Sequence, residues 1–141
     1  MATDFRFRPH ARGLAKVMGK REAEIMEILW RGEPASVAQV HEQLSSREEL
    51  AYTTIMTIMS RMVQKGLLTR RRSGNAYVYS PAVSREDLHR RVVEGVVDSL
   101  MESFSQPAIS YFVERLAEHD EALLSEMERL IQRRQSSNRE T

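Results

Sequence analysis

The sequence has 141 residues, room for one compact domain or one small domain with an oligomerisation segment, and too few for a two-domain enzyme. Hydrophobic residues make up 41% and charged residues 29%, ordinary for a folded chain, and the lack of Cys excludes disulfides, thiolate metal sites and cysteine nucleophiles. The net charge of +1 hides a split: residues 1–81 hold 13 Lys+Arg against 8 Asp+Glu (net +5) and residues 82–141 hold 8 against 12 (net −4), so the first half is the one suited to nucleic acid or another anionic surface.

Residues 1–17, with Arg6, Arg8, Arg12 and Lys16 around Pro9 and Gly13, read as a flexible basic arm. A first helix follows Gly19: Ile25, Ile28 and Leu29 share a face, Met26 and Trp30 lie beside it, and Gly32 with Pro34 ends it. Ser36 caps a short second helix with Val37, Val40 and Leu44 on one side, broken by the polar stretch from Ser45 to Glu49. The third helix carries Ile55, Ile58, Met59 and Met62 at i, i+3, i+4 and i+7, and Gly66 stands where a C-terminal glycine belongs. Leu67 to Arg71 and Ala76 to Ser80 then form a basic β-hairpin around a Gly-Asn turn, closed by Pro81. Three helices and a hairpin in this order define a mainly α fold, a winged helix-turn-helix over residues 18–81.

Beyond Pro81 only helices are expected. Ser84 and Asp87 make a capping-box-like start, Val93, Val96, Val97, Leu100 and Phe104 repeat at helical spacing, and Pro107 interrupts. Ile109, Phe112, Val113 and Leu116 form a second stripe; after a cap at Asp120, Leu124, Met127 and Ile131 form a third, before a disordered tail at residues 136–141. About sixty residues are too few to cover three apolar stripes comfortably by themselves, and the economical cover is a second copy of the chain rather than the winged unit of the same one. Residues 82–135 are therefore read as a helical dimerisation domain, with Val93, Val97, Leu100, Phe104, Phe112, Leu124, Met127 and Ile131 facing a second copy of the chain. The longest apolar run is the four residues Ala76 to Tyr79, so a soluble, cytoplasmic protein without membrane insertion is expected.

Opposite the apolar stripe of the third helix lie Thr53, Thr57, Ser60 and Gln64, flanked by Thr54 and Arg61. Residues 51–66 contain Arg61 and Lys65 and no Asp or Glu, so nothing on that helix repels phosphates, and its hydroxyls suit phosphates or base edges. The hairpin adds Arg70, Arg71, Arg72 and Tyr77, a wing able to follow a phosphate backbone or enter the minor groove. These ten residues are the candidate double-stranded-DNA contacts. Catalytic and metal sites are not expected: His41-Glu42 opens like a zincin motif, but Ser45 occupies the position of its second His; His10, His89 and His119 are scattered; no glycine-rich phosphate loop occurs. No cofactor is expected. Two alternatives stay open: a winged-helix module that binds protein, and an effector-responsive regulator of the MarR kind.

Three stretches, EAEIMEILW (Glu22 to Trp30), the VxxVHEQL pattern from Val37 to Leu44 and AYTTIMTIMSRMVQKGLL (Ala51 to Leu68), resemble the penicillinase repressor (BlaI/MecI) family of winged-helix transcriptional regulators, over about residues 18–135. The resemblance implies a homodimeric repressor on a palindromic operator. It places Thr53, Thr54 and Thr57 on the base-reading part of the recognition helix, Arg61 on a backbone contact and Arg72 with Tyr77 on the wing. Met56 departs, standing where some members have a DNA-contacting Arg. In antibiotic-responsive members a regulatory protease cleaves an Asn-Phe bond before the last helix; the corresponding bond is Tyr111-Phe112, without the Asn. A copper-responsive branch depends on C-terminal cysteines that this sequence lacks.

Overall fold

The structure is a computed structural model that describes Phe7 and residues 13–140. After a 3-10 turn at Gly13–Lys16 come α1 (Lys20–Arg31), α2 (Val37–Ser45), α3 (Tyr52–Gln64), the strands β1 (Leu68–Ser73) and β2 (Ala76–Pro81), α4 (Arg85–His119) and α5 (Glu121–Arg139). The order is that of a winged helix-turn-helix followed by helices. The chain divides into two units, with the boundary after Val96.

In the first unit the apolar stripes converge. Ile25, Met26 and Leu29 of α1, Val37, Val40 and Leu44 of α2 and Ile55, Met59 and Met62 of α3 are all buried and share one core with Leu67, Leu68 and Tyr79 of the hairpin segment. Ile58 packs at its margin, only partly buried. Local chemistry sets the ends of these helices. Ser36 forms a capping box with Gln39, its Oγ accepting from the Gln39 amide at 3.2 Å while the Gln39 side chain accepts from the Ser36 amide at 2.9 Å. Gly66 takes φ +79° just after α3, a left-handed conformation that L side chains resist.

The hairpin is antiparallel, with Leu68 opposite Pro81, Arg70 opposite Tyr79 and Arg72 opposite Tyr77. Gly74, with φ +63°, leads a two-residue turn with Asn75, as a type II′ turn requires of its first central residue. The base of the hairpin is tied to the α1–α2 connection: the Tyr79 amide donates to the Ala35 carbonyl at 2.8 Å and the Ala35 amide donates back at 3.1 Å. This bridge and the burial of Tyr79 hold the wing to the helical core.

Three boundaries differ from the sequence-based expectation. Residues 136–139, read as the start of a disordered tail, continue α5, and the Ser136 hydroxyl donates to the Gln132 carbonyl at 3.0 Å within it. The segment read as a loose arm through residue 17 already packs near its end, since Val17 and Met18 are buried and Leu14 rests on the core; Arg6, Arg8 and Arg12 lie outside the described residues. The winged unit also does not close at Pro81. Val83 and Leu88 belong to its core, and Val92 packs against it. The Trp30 indole N–H donates to the Val83 carbonyl at 2.9 Å, while Arg85 stacks over the Trp30 ring and pairs with Glu27 at 2.8 Å. Ser84 caps α4, its Oγ accepting from the Asp87 amide.

The second unit contains no buried residue among those described. Within α4 the break falls at Phe104 (φ −135°, ψ 37°), three residues ahead of Pro107, where the interruption was expected. The proline has no N–H for the Ser103 carbonyl and its ring would clash there; an earlier break puts Pro107 in the first turn of the resumed helix, where a missing donor is harmless. Asp120 caps α5 by accepting from the Leu123 amide at 3.0 Å.

Met59 is fully buried where α3 meets this core, so Met59→Ala should lower unfolding free energy by about 2–5 kcal/mol, read from the midpoint of chemical denaturation. A loss below about 0.5 kcal/mol would mean that α3 is not anchored through this stripe.

Candidate nucleic-acid interface

Burying Ile55, Met59 and Met62 turns the opposite face of α3 outward, because residues advance by about 100° each around a helix. Thr53, Thr57 and Gln64 lie near the centre of that face and are exposed; Thr54 and Arg61 are exposed along one flank, and Ser60 is half-buried on the other. The Thr57 hydroxyl donates to the Thr53 carbonyl at 2.9 Å, so in this rotamer its outward capacity is that of an acceptor. Such an oxygen matches the amino groups of adenine or cytosine better than a phosphate, which offers no proton.

The two cations of α3 and its end behave differently. Lys65, counted with Arg61 as a cation of this acid-free stretch, turns its Nζ back to Glu22 of α1 at 2.6 Å, where that carboxylate is only 16% exposed. Arg61 has no ion-pair partner among the described residues. The acid-free stretch is longer than the helix: residues 51–81 contain no Asp or Glu. Arg71 and Arg72 likewise have no ion-pair partner among the described residues, so the α3–hairpin segment presents these three charges with no carboxylate of its own to oppose them.

On the hairpin, strand register sorts the arginines. Arg70 and Arg72 share a face with Tyr77 and Tyr79, while Arg71 lies with Val78 on the other. At the base of the first face Tyr79 is buried; towards the tip Tyr77 is 45% exposed and Arg70 lies 4.4 Å over its ring. That stacking holds the Arg70 guanidinium without neutralising it. The consecutive arginines therefore address two sides of the wing.

Two exposed side chains on α3 escaped the sequence-based list, Tyr52 and Met56, one helical turn apart on the Ser60 flank. The Tyr52 ring meets His41 edge-on, with ring centroids 5.8 Å apart. His41 itself spans the turn between α2 and α3, its Nε2 2.6 Å from the Leu50 carbonyl and 3.1 Å from Ser45 Oγ. The residue that opens the zincin-like pair is thus a tie within the helix-turn-helix. His89 is exposed, His119 contacts Arg115, and His10 lies outside the described residues. Among the described residues no three His, Cys, Asp or Glu side chains are grouped to hold a metal, and no helix is long and apolar enough to cross a membrane.

The residues expected to mediate dimerisation lie largely on the surface. Val93, Val97, Leu100, Phe104, Phe112 and Ile131 are between 43% and 61% exposed, and Leu124 and Met127 are half-buried. Tyr111 and Phe112 are both exposed and helical.

Helix-turn-helix, basic hairpin and an outward, carboxylate-free third helix define a winged-helix protein of the nucleic-acid-binding type. The family model for the penicillinase repressor matches residues 18–133, and the chain belongs to that family. It is 39% identical over 117 residues to the transcriptional regulator BlaI of Mycobacterium tuberculosis, covering 79% of this chain and 85% of that protein. To the penicillinase repressor of Bacillus licheniformis it is 25% identical over 111 residues, 79% of this chain and 84% of the relative. A solution structure of the DNA-binding domain of the repressor BlaI aligns with a TM-score of 0.46 and 25% identity, over 55% of this chain and 93% of that one.

Proposed function

We propose that this chain is a sequence-specific DNA-binding transcriptional repressor, not an enzyme, that sits as a homodimer on a palindromic operator. The carrying observation is the outward face of α3, lined by Thr53, Thr57 and Gln64 and free of carboxylates, beside a wing that displays Arg70, Arg71, Arg72 and Tyr77. Membership of the penicillinase repressor family supports the same reading. In this proposal Thr53, Thr54 and Thr57 meet base edges, Ser60 and Gln64 border them, and Arg61 with the wing residues follows the phosphates.

The second unit supports the dimer. It buries none of its described residues yet carries exposed Leu100, Phe104, Phe112 and Ile131, and an apolar surface of this kind gains most from a second copy that presents the same residues. Two linked winged domains then read two half-sites with the benefit of effective concentration. Release by a protease at Tyr111-Phe112 would need local unwinding first, since both residues are helical within α4.

Titrating the full chain on a duplex enriched from a random pool, and on a scrambled duplex, at several salt concentrations tests the reading. Affinity should fall with salt at a log-log slope of about −0.9 per neutralised phosphate and should favour the enriched duplex; equal affinity for both duplexes would refute sequence-specific binding. Arg72→Ala should reduce the magnitude of that slope by about 1, whereas Lys65→Ala, whose charge is already taken up by Glu22, should leave it nearly unchanged. Light scattering should return twice the mass of one chain, and Leu100→Asp combined with Ile131→Asp should halve it. A double variant that remains dimeric would move the interface elsewhere.

A further inference from the structure

Tyr52 and Met56 form an apolar ridge beside the polar face of α3. They are 46% and 42% exposed, an unusual place for two large apolar side chains one turn apart on a helix that otherwise presents hydroxyls, an amide and a guanidinium. The ridge is held in place. The Tyr52 ring packs edge-on against His41, whose Nε2 is tied to the Leu50 carbonyl and Ser45 Oγ. Charge settles the kind of occupant: the absence of Asp and Glu over residues 51–81, with Arg61, Arg71 and Arg72 free of ion-pair partners among the described residues, fits a polyanion. The apolar feature that a duplex shows at its major-groove floor is the 5-methyl group of thymine. Cytosine carries only a hydrogen at the same carbon, and neither purine has a methyl group there. A thioether side chain is flexible and polarizable enough to close over such a methyl, and the fixed tyrosine ring limits the space it can take instead.

We infer that Met56, backed by Tyr52, is a specificity-determining residue that reads a thymine methyl group in each operator half-site. The inference rests on the DNA-binding reading above and adds a base preference to it. It differs from the part given to Thr57, whose hydroxyl is an acceptor for a base amino group.

The experiment uses the full chain and a duplex that it enriches from a random pool. Each thymine of that duplex is replaced in turn by deoxyuridine, which deletes one methyl and leaves the pairing and hydrogen-bonding edges intact. At one thymine per half-site the replacement should weaken the unaltered protein by about fourfold, the effect of withdrawing one buried carbon. Met56→Ala should bind the thymine duplex more weakly and lose the distinction between thymine and uracil at that position; Met56→Leu should keep it. Met56 lies outside the core, and circular dichroism with a thermal melt should confirm that each variant is folded. An enriched duplex at which Met56→Ala is as sensitive to uracil as the unaltered protein, or at which no thymine methyl matters, overturns this inference alone. A pool that never enriches overturns the DNA-binding reading, and this inference with it.

Discussion

The burial of one side of α3 is the constraint on which the rest depends. Ile55, Met59 and Met62 recur at the spacing that puts them on one helical face, and all three are fully enclosed by α1, α2 and the hairpin segment. A helix anchored along that line cannot rotate without exposing large apolar side chains, at about 1.5–3 kcal/mol each. Thr53, Thr57 and Gln64 are outward because their neighbours are inward. The Tyr79–Ala35 bridge extends the same rigidity to the wing, so that the arginines of β1 keep a fixed relation to the face of α3.

The winged unit was largely legible in the sequence because its signals are local. The Ser36 cap, the stripe of α3, Gly66 and the Gly74-Asn75 turn each depend on residues within a few positions of one another, and each appears where the pattern placed it. Misplaced features depend on distant partners. No local period announces that Leu14 and Met18 dock on the core, nor that Val83 and Leu88 complete it beyond Pro81. The Lys65–Glu22 pair joins residues 43 positions apart, and it changes which cation is free. The division of Arg70 and Arg72 from Arg71 is different: it follows from the two-residue period of a strand and was readable from the start. Tyr52 was passed over because apolar residues in a helix are read as core until packing shows otherwise, and Met56 was noted only as a departure from the family's Arg.

The two units solve different problems with similar material. The first closes its core with a hairpin and the buried Tyr79, whereas residues 97–140 have only helices and leave most of their large apolar side chains exposed. On the proposed reading this is a division of labour: the first unit presents a surface to DNA and the second supplies the symmetry of the palindrome. The break at Phe104 lies in the second unit, so the helix start that stacks on Trp30 is unaffected by it.

The most direct measurement is the affinity of Thr57→Ala for the enriched duplex and for a scrambled one, taken at one salt concentration. The account predicts a loss of about 1–3 kcal/mol on the enriched duplex and almost none on the scrambled one. The same loss on both would mean that this face of α3 does not read bases.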